Sequence, residues 1–196
     1  MSGAAADAVQ IWADLVAGNQ RFRAGKPQTR DLIAERDALV KGQHPKAIVL
    51  ACSDSRVAPE TIFDQPLGTL FVVRTAGNTA DALGIGSIEY AAEHLGATVL
   101  VVLGHTSCGA VAAACSSEKV SSPNLKAVVK PIRPACEKPG LEGDVLLRAA
   151  EQHNVRLSAR AILDRSPLLY ELAQQGKLTV IEAYYRLDTG EVQRRN

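Results

Sequence analysis

The sequence predicts an α/β fold, a mostly parallel central β-sheet flanked by helices, with an N-terminal helical arm. Short apolar runs at residues 47–51, 70–73 and 98–103 are each long enough for a strand buried on both faces. Between the second and third lies the stretch 80–95, rich in helix formers with apolar residues at helical spacing. Strand, helix and strand in that order imply a parallel sheet with crossover helices.

The remaining elements follow along the chain. Val9, Trp12, Val16 and Phe22 recur at helical spacing over residues 9–23, and Gly25 and Pro27 end that helix. A second helix is expected around residues 31–41. Together they form an arm over about residues 5–42, ahead of an α/β core over residues 46–196. The polar segment 116–143 carries Pro123, Pro131, Pro134 and Pro139 and predicts a broken helix. Residues 144–163 predict one long helix, with another entered near Pro167. Residues 178–185 predict a final strand, with a turn at Asp188–Gly190. There is no internal repeat and no stretch of linker character, so the expectation is one domain over residues 1–196.

Composition narrows the function. The net charge of +1 gives no field to recruit nucleic acid or an anionic membrane, and 4% aromatic residues leave few stacking platforms. No segment reaches the roughly 18 apolar residues that a membrane helix needs, and the N-terminal residues do not have the pattern of a signal peptide. The expected location is therefore cytoplasmic, where four cysteines point to metal or catalysis before disulfides.

Two strand ends carry the chemistry. Ala51-Cys-Ser-Asp-Ser-Arg56 follows the first buried run, and Gly104-His-Thr-Ser-Cys-Gly109 follows the third. In open parallel sheets, ligands gather outside the carboxyl ends of strands, and adjacent strands would bring these two groups together. Cys52, His105 and Cys108 supply two sulfurs and one imidazole nitrogen, a three-ligand set for zinc that leaves a fourth position open. The plainer alternative is that the cysteines are small buried residues and His105 a hydrogen-bonded core histidine. Cys115 and Cys136 show no partner pattern and are expected to be structural.

Asp54 and Arg56 can project from the same loop, and their pairing would keep the carboxylate ionised beside the metal. Two thiolates neutralise a 2+ ion, so the water it holds needs a nearby acceptor to ionise near neutral pH. Asp54 suits that task; released by Arg56, it could instead occupy the open metal position. Gly109 starts a helix directly after Cys108, where backbone N–H groups can face a small anion. A rival reading takes Cys52 as a nucleophile with Arg56 cradling a phosphate. Its Cys-x-x-x-Arg spacing is short for such a loop, and no glycine-rich tract lies between the two residues.

With these residues assembled, the chain resembles the β-class carbonic anhydrases. The resemblance includes Gly18-Asn-Gln-Arg-Phe22, Gly42-Gln-His-Pro45, Ala51 to Val57, Leu70 to Arg74 with Ala76-Gly-Asn78, Gly86-Ser-Ile-Glu-Tyr90 and Gly104 to Val111. It implies one Zn2+ per subunit on Cys52, His105 and Cys108, with Asp54 and Arg56 as the dyad that orients zinc-bound hydroxide. It places Gln43, Phe71, Ala76, Tyr90 and Gly109 around the substrate, some of them supplied by a neighbouring subunit. The implied reaction is reversible hydration of CO2 to bicarbonate and a proton, in a homodimer or dimer of dimers whose arm grips the partner. The alternatives are a carbonyl sulfide or carbon disulfide hydrolase on the same zinc site, or a noncatalytic zinc-binding scaffold. Family members with a noncatalytic bicarbonate pocket carry tryptophan and glycine where this chain has Val49 and Ala51, so that pocket is expected to be absent although Arg74 matches. Ala76 stands where valine is common, which implies a roomier niche.

Overall fold

A computed structural model describes residues 3–195 of the chain, with side chains from residue 7 onward; residues 1, 2 and 196 of the expected domain lie outside the described residues. The elements run α1 (Gly3–Arg23), α2 (Leu32–Ala38), β1 (Ala47–Cys52), α3 (Pro59–Ile62), β2 (Leu70–Thr75), α4 (Ala82–Glu93), β3 (Val99–His105) and α5 (Gly109–Cys115). They continue as α6 (Pro123–Val129), α7 (Gly143–Arg165), α8 (Pro167–Gln174), β4 (Thr179–Tyr185) and β5 (Val192–Arg194). The strands form one sheet in the order β2-β1-β3-β4-β5, parallel except for β5, which returns antiparallel along β4.

Every residue of β1 and β3 is buried, as expected for inner strands covered on both faces. Alternation divides them. Ala47, Val49, Ala51, Val99, Val101 and Leu103 face one core with Leu15 of α1 and Phe63. Ile48, Leu50, Leu100 and Val102 face the other, with Ile85 and Ile88 of α4, Val155 and Ile162 of α7, and Leu169 of α8. Each Val, Leu, Ile and Phe among them contributes roughly 1.5–3 kcal/mol by leaving water.

The arm differs from expectation in what it covers. Helix α1 lays Ala8, Leu15 and Trp12 onto the chain's own first core, with the Trp12 and Phe63 rings edge to face at 6.5 Å. Of its expected apolar face, Trp12 and Phe22 pack within the chain, whereas Val9 stays exposed. Helix α2 buries nothing, and its Leu32 and Ile33 are exposed. Asp31 starts α2 by accepting the Ile33 and Ala34 amides, which places the helix start where the sequence suggested.

Asp64 ties this region together. Its carboxylate is buried and takes Arg21 Nε at 2.5 Å, Arg30 Nη1 at 2.9 Å and the Gln28 amide at 3.2 Å. Burial raises its pKa, but the Arg21 hydrogen bond, the Gln28 amide and the Arg30 charge outweigh this and the net shift is downward. A carboxylate with a depressed folded pKa stabilises the fold above its unfolded value of about 3.9, and this contribution is lost as pH falls through the folded value. Asp64→Asn is expected to cost about 3 kcal/mol at pH 7 by leaving two arginines short of a partner. The gap to wild type in melting experiments should close below about pH 4. A gap that stays constant down to acid would refute this account.

Two features depart from the sequence reading. Cys115 and Cys136 form a disulfide between the end of α5 and a 3-10 turn over Arg133–Cys136, across a sequence separation of 21. Both are structural, as expected, but the pairing left no pattern in the sequence: α6 folds back between them and brings the two sulfurs together. Closing a loop of that length stabilises a fold by about 3 kcal/mol on chain entropy. Strand β5 was not expected; three residues, Val-Gln-Arg, carry too little periodicity to reveal it.

Candidate metal centre

Strands β1 and β3 are neighbours in parallel register, Ala51 opposite Leu103, so their carboxyl ends deliver Cys52 and His105 side by side. Cys108 arrives from the loop that opens α5. The ligand atoms of Cys52, His105 and Cys108 all lie within 4.8 Å of one another, and all three residues are buried. Only glycine fits at position 104: a Cβ there would stand 2.3 Å from Val155 Cγ2, so α7 packs directly on the strand that presents His105.

The donor atoms are prepared for a cation. Gly77 and Asp54 donate their amides to Cys52 Sγ at 3.2 and 3.4 Å. Gly77 reaches this position with φ 75°, in a pocket where a Cβ would meet Ile132 at 2.5 Å. Asn154 holds the far side of the same peptide turn through the Gly77 carbonyl at 2.7 Å. The Cys52 thiol is pulled down to about 4, first by a hydrogen bond from the Cys108 thiol and then, against burial, by His105 and the two amides. Cys108 is pushed up, chiefly by its hydrogen bond with Cys52 and by burial.

His105 Nδ1 is 2.8 Å from the Thr106 carbonyl, which makes it the protonated nitrogen. Its Nε2 is buried with no hydrogen-bond partner. Two buried sulfurs and an imidazole nitrogen without a hydrogen-bond partner together fit a thiophilic 2+ ion, whereas a histidine serving only the core would have Nε2 satisfied as well as Nδ1.

Beside the cluster, Arg56 grips Asp54 at both oxygens, Nε to Oδ1 at 2.9 Å and Nη2 to Oδ2 at 2.7 Å, while the Arg56 amide adds a third bond at 3.0 Å. The Asp54 carboxyl is held well below the usual carboxylate range, first by the side-chain hydrogen bond from Arg56. Arg56 also donates to the Ser107 carbonyl at 3.2 Å, linking the two ligand loops. Arg74, matched in sequence to a bicarbonate pocket, instead donates to the Cys52 and Asp54 carbonyls at 3.1 and 2.7 Å. Val49 is fully buried in the sheet core.

Ala76 follows Thr75, which pairs with Cys52, and so lies at the cluster, as does Gly109 at the start of α5 with open space above its Cα. Phe71 pairs with Ile48, four residues back from Cys52 along the sheet and thus about 13 Å away. Tyr90 stacks near Phe71 at 6.4 Å, and Gln43 sits exposed before β1. These three are not brought to the cluster within one chain. An 820 Å³ cleft lies behind the ligand loop, lined by Thr106, Ser107, Glu151 and Tyr184 among others. The sequence reading missed Glu151 and Asn154. Their signal was there: both fall in register with Val155 and Ile162 on the buried face of α7, where a charged or amide side chain is out of place.

A family profile described as carbonic anhydrase matches residues 47–192. Among solved structures, a β-carbonic anhydrase of the fungal pathogen Aspergillus fumigatus aligns with a TM-score of 0.76 at 28% identity, over 82% of this chain and 80% of that one. The chain belongs to the β-class carbonic anhydrase family. Carbonic anhydrases are lyases, so membership makes the protein an enzyme of that class. Carbonic anhydrase 2 of Mycobacterium tuberculosis is 39% identical over 186 residues, covering 93% of this chain and 90% of that protein. A tetrameric β-carbonic anhydrase of Sordaria macrospora aligns with a TM-score of 0.72 at 27% identity, over 81% of this chain and 84% of that one. Among the described residues, no helix is long and apolar enough to cross a membrane.

Proposed function

We propose that the protein hydrates CO2 reversibly to bicarbonate and a proton, with one zinc ion per subunit held by Cys52, His105 and Cys108. The observation that carries this reading is the buried three-donor cluster with His105 Nε2 unpartnered, next to a carboxylate clamped at both oxygens. Zinc held there supplies the Lewis acidity that makes water nucleophilic near neutral pH. Asp54, ionised and fixed by Arg56, accepts the hydrogen bond of the attacking water and so points its lone pair at the carbon. Arg56 keeps Asp54 off the metal position by engaging both of its oxygens. CO2 carries no charge and needs only a small apolar niche, for which Ala76 offers little bulk. The Gly109 amide is free to meet an oxygen of the product.

The niche is completed by a second subunit, which contributes Gln43, Phe71 and Tyr90. Their distance from the cluster within one chain supports this, and so does the exposed apolar surface of α2. The working assembly is accordingly a homodimer or a dimer of dimers.

Stopped-flow CO2 hydration across pH 6–9, with zinc measured on the same sample and carbonyl sulfide offered in parallel, tests the reading. The expected result is turnover of CO2 that scales with zinc content. Full zinc with no hydration at any pH would overturn it, and preference for carbonyl sulfide would reassign the substrate.

A further inference from the structure

The peptide joining Ser107 to Cys108 is held from both ends. Its carbonyl accepts from Arg56 Nη2 at 3.2 Å, and its N–H donates to Glu151 Oε1 at 2.9 Å. Glu151 Oε2 accepts from the Tyr184 hydroxyl at 2.5 Å. Glu151 is 4% exposed, and among the described residues no Lys, Arg or His pairs with it. A carboxylate buried without a cation is costly, so its two hydrogen bonds are what keep it there.

The turn it holds also needs holding. Ser107 has φ 56°, a left-handed conformation unfavourable for serine, in the two-residue span between His105 and Cys108. Neighbouring contacts fix the first half of that span: the Thr106 amide donates to the Tyr185 carbonyl at 3.0 Å, and Thr106 Oγ1 accepts the Leu187 amide at 2.9 Å. Among the hydrogen bonds of this turn, only that from Glu151 grips the Cys108 amide.

We propose that Glu151 is a positioning residue for the metal centre, acting through the Ser107–Cys108 peptide to orient both the Cys108 sulfur and the Arg56 guanidinium. A peptide is planar, so fixing its N–H fixes the direction of its carbonyl. A carboxylate on the N–H also polarises the unit and strengthens the carbonyl as an acceptor for Arg56. The chain of contacts runs from Tyr184 through Glu151 and the peptide to Arg56, and from there to Asp54. Glu151 touches neither metal nor substrate; it sets the geometry of the groups that do. This inference rests on the zinc-dependent hydration proposed above.

The test uses full-length Glu151→Gln, with Tyr184→Phe as a second variant. Zinc affinity is read by chelator competition, the ligand set by the visible spectrum of the cobalt-substituted protein, and hydration by kcat and KM. In Glu151→Gln the amide oxygen can still accept from Cys108 but the carboxylate is gone. The expected result is zinc affinity about tenfold weaker, a shifted cobalt spectrum, and kcat about tenfold lower with KM little changed. Tyr184→Phe should move the same readouts in the same direction by about threefold, and it decides the matter if the glutamine variant does not fold. Wild-type zinc affinity, cobalt spectrum and kcat in a folded variant would overturn the proposal while leaving the zinc enzyme intact. A wild type that bound no zinc would instead overturn the function proposed above.

Discussion

Replacing Asp54 by asparagine is expected to lower kcat for CO2 hydration by about 100-fold or more while zinc stays bound, in the range found for removal of a positioned acid–base group. The side chain keeps its shape but loses one acceptor oxygen. The new amide N–H groups face the Arg56 guanidinium, which is donor only, so at least one of the two bonds at 2.7 and 2.9 Å is lost. On the proposed function, the acceptor that aligns the nucleophile is weakened in the same step. None of the three ligand residues is altered, and the Asp54 amide bond to Cys52 Sγ is a backbone contact that the substitution leaves in place. Stopped-flow rates with metal content on the same sample check this. Turnover unchanged from wild type would refute the role given to Asp54, and loss of zinc would assign it to holding the metal.

His105→Ala should empty the site. Two sulfurs remain, but a catalytic zinc needs three protein ligands, so the affinity loss should exceed the about 100-fold that removal of an outer contact costs. Hydration should fall to the background rate, and added zinc should not restore it. Wild-type protein stripped by a chelator should regain activity when zinc returns. The fold should survive, because His105 is the last residue of β3 and the strand's core residues, Val99 to Leu103, are untouched. Circular dichroism and melting beside metal analysis separate the two effects. Stoichiometric zinc in a folded His105→Ala protein would sink the ligand assignment.

Much of the frame is legible in the sequence. The apolar runs of β1 and β3 are buried at every position and could hardly be read otherwise. Cys52 and His105 sit at their carboxyl ends, but that β1 lies between β2 and β3, and so beside β3, is decided by the tertiary fold. Elsewhere the signal was local but incomplete. Helix α1 was expected to turn its apolar stripe toward a partner, yet a stripe does not say which surface will cover it: Trp12 and Phe22 pack at home while Val9 stays exposed. Cys115 and Cys136 had no motif because a disulfide depends on where α6 folds back, and the intervening loop residues carry no record of that.

The sequence by itself determined the strands, the helices between them and the three residues able to hold a metal, since periodicity and side-chain chemistry are properties of short stretches. Only the tertiary structure decided the hydrogen bonds around those residues. Glu151 meets Cys108 across a sequence separation of 43, Arg56 meets Ser107 across 51, and Asn154 meets Gly77 across 77. Contacts of that kind depend on how α7 crosses the sheet, and glycine at position 104 sets how closely it does so. The three candidate donors are therefore written in the chain, whereas their orientation is made by packing.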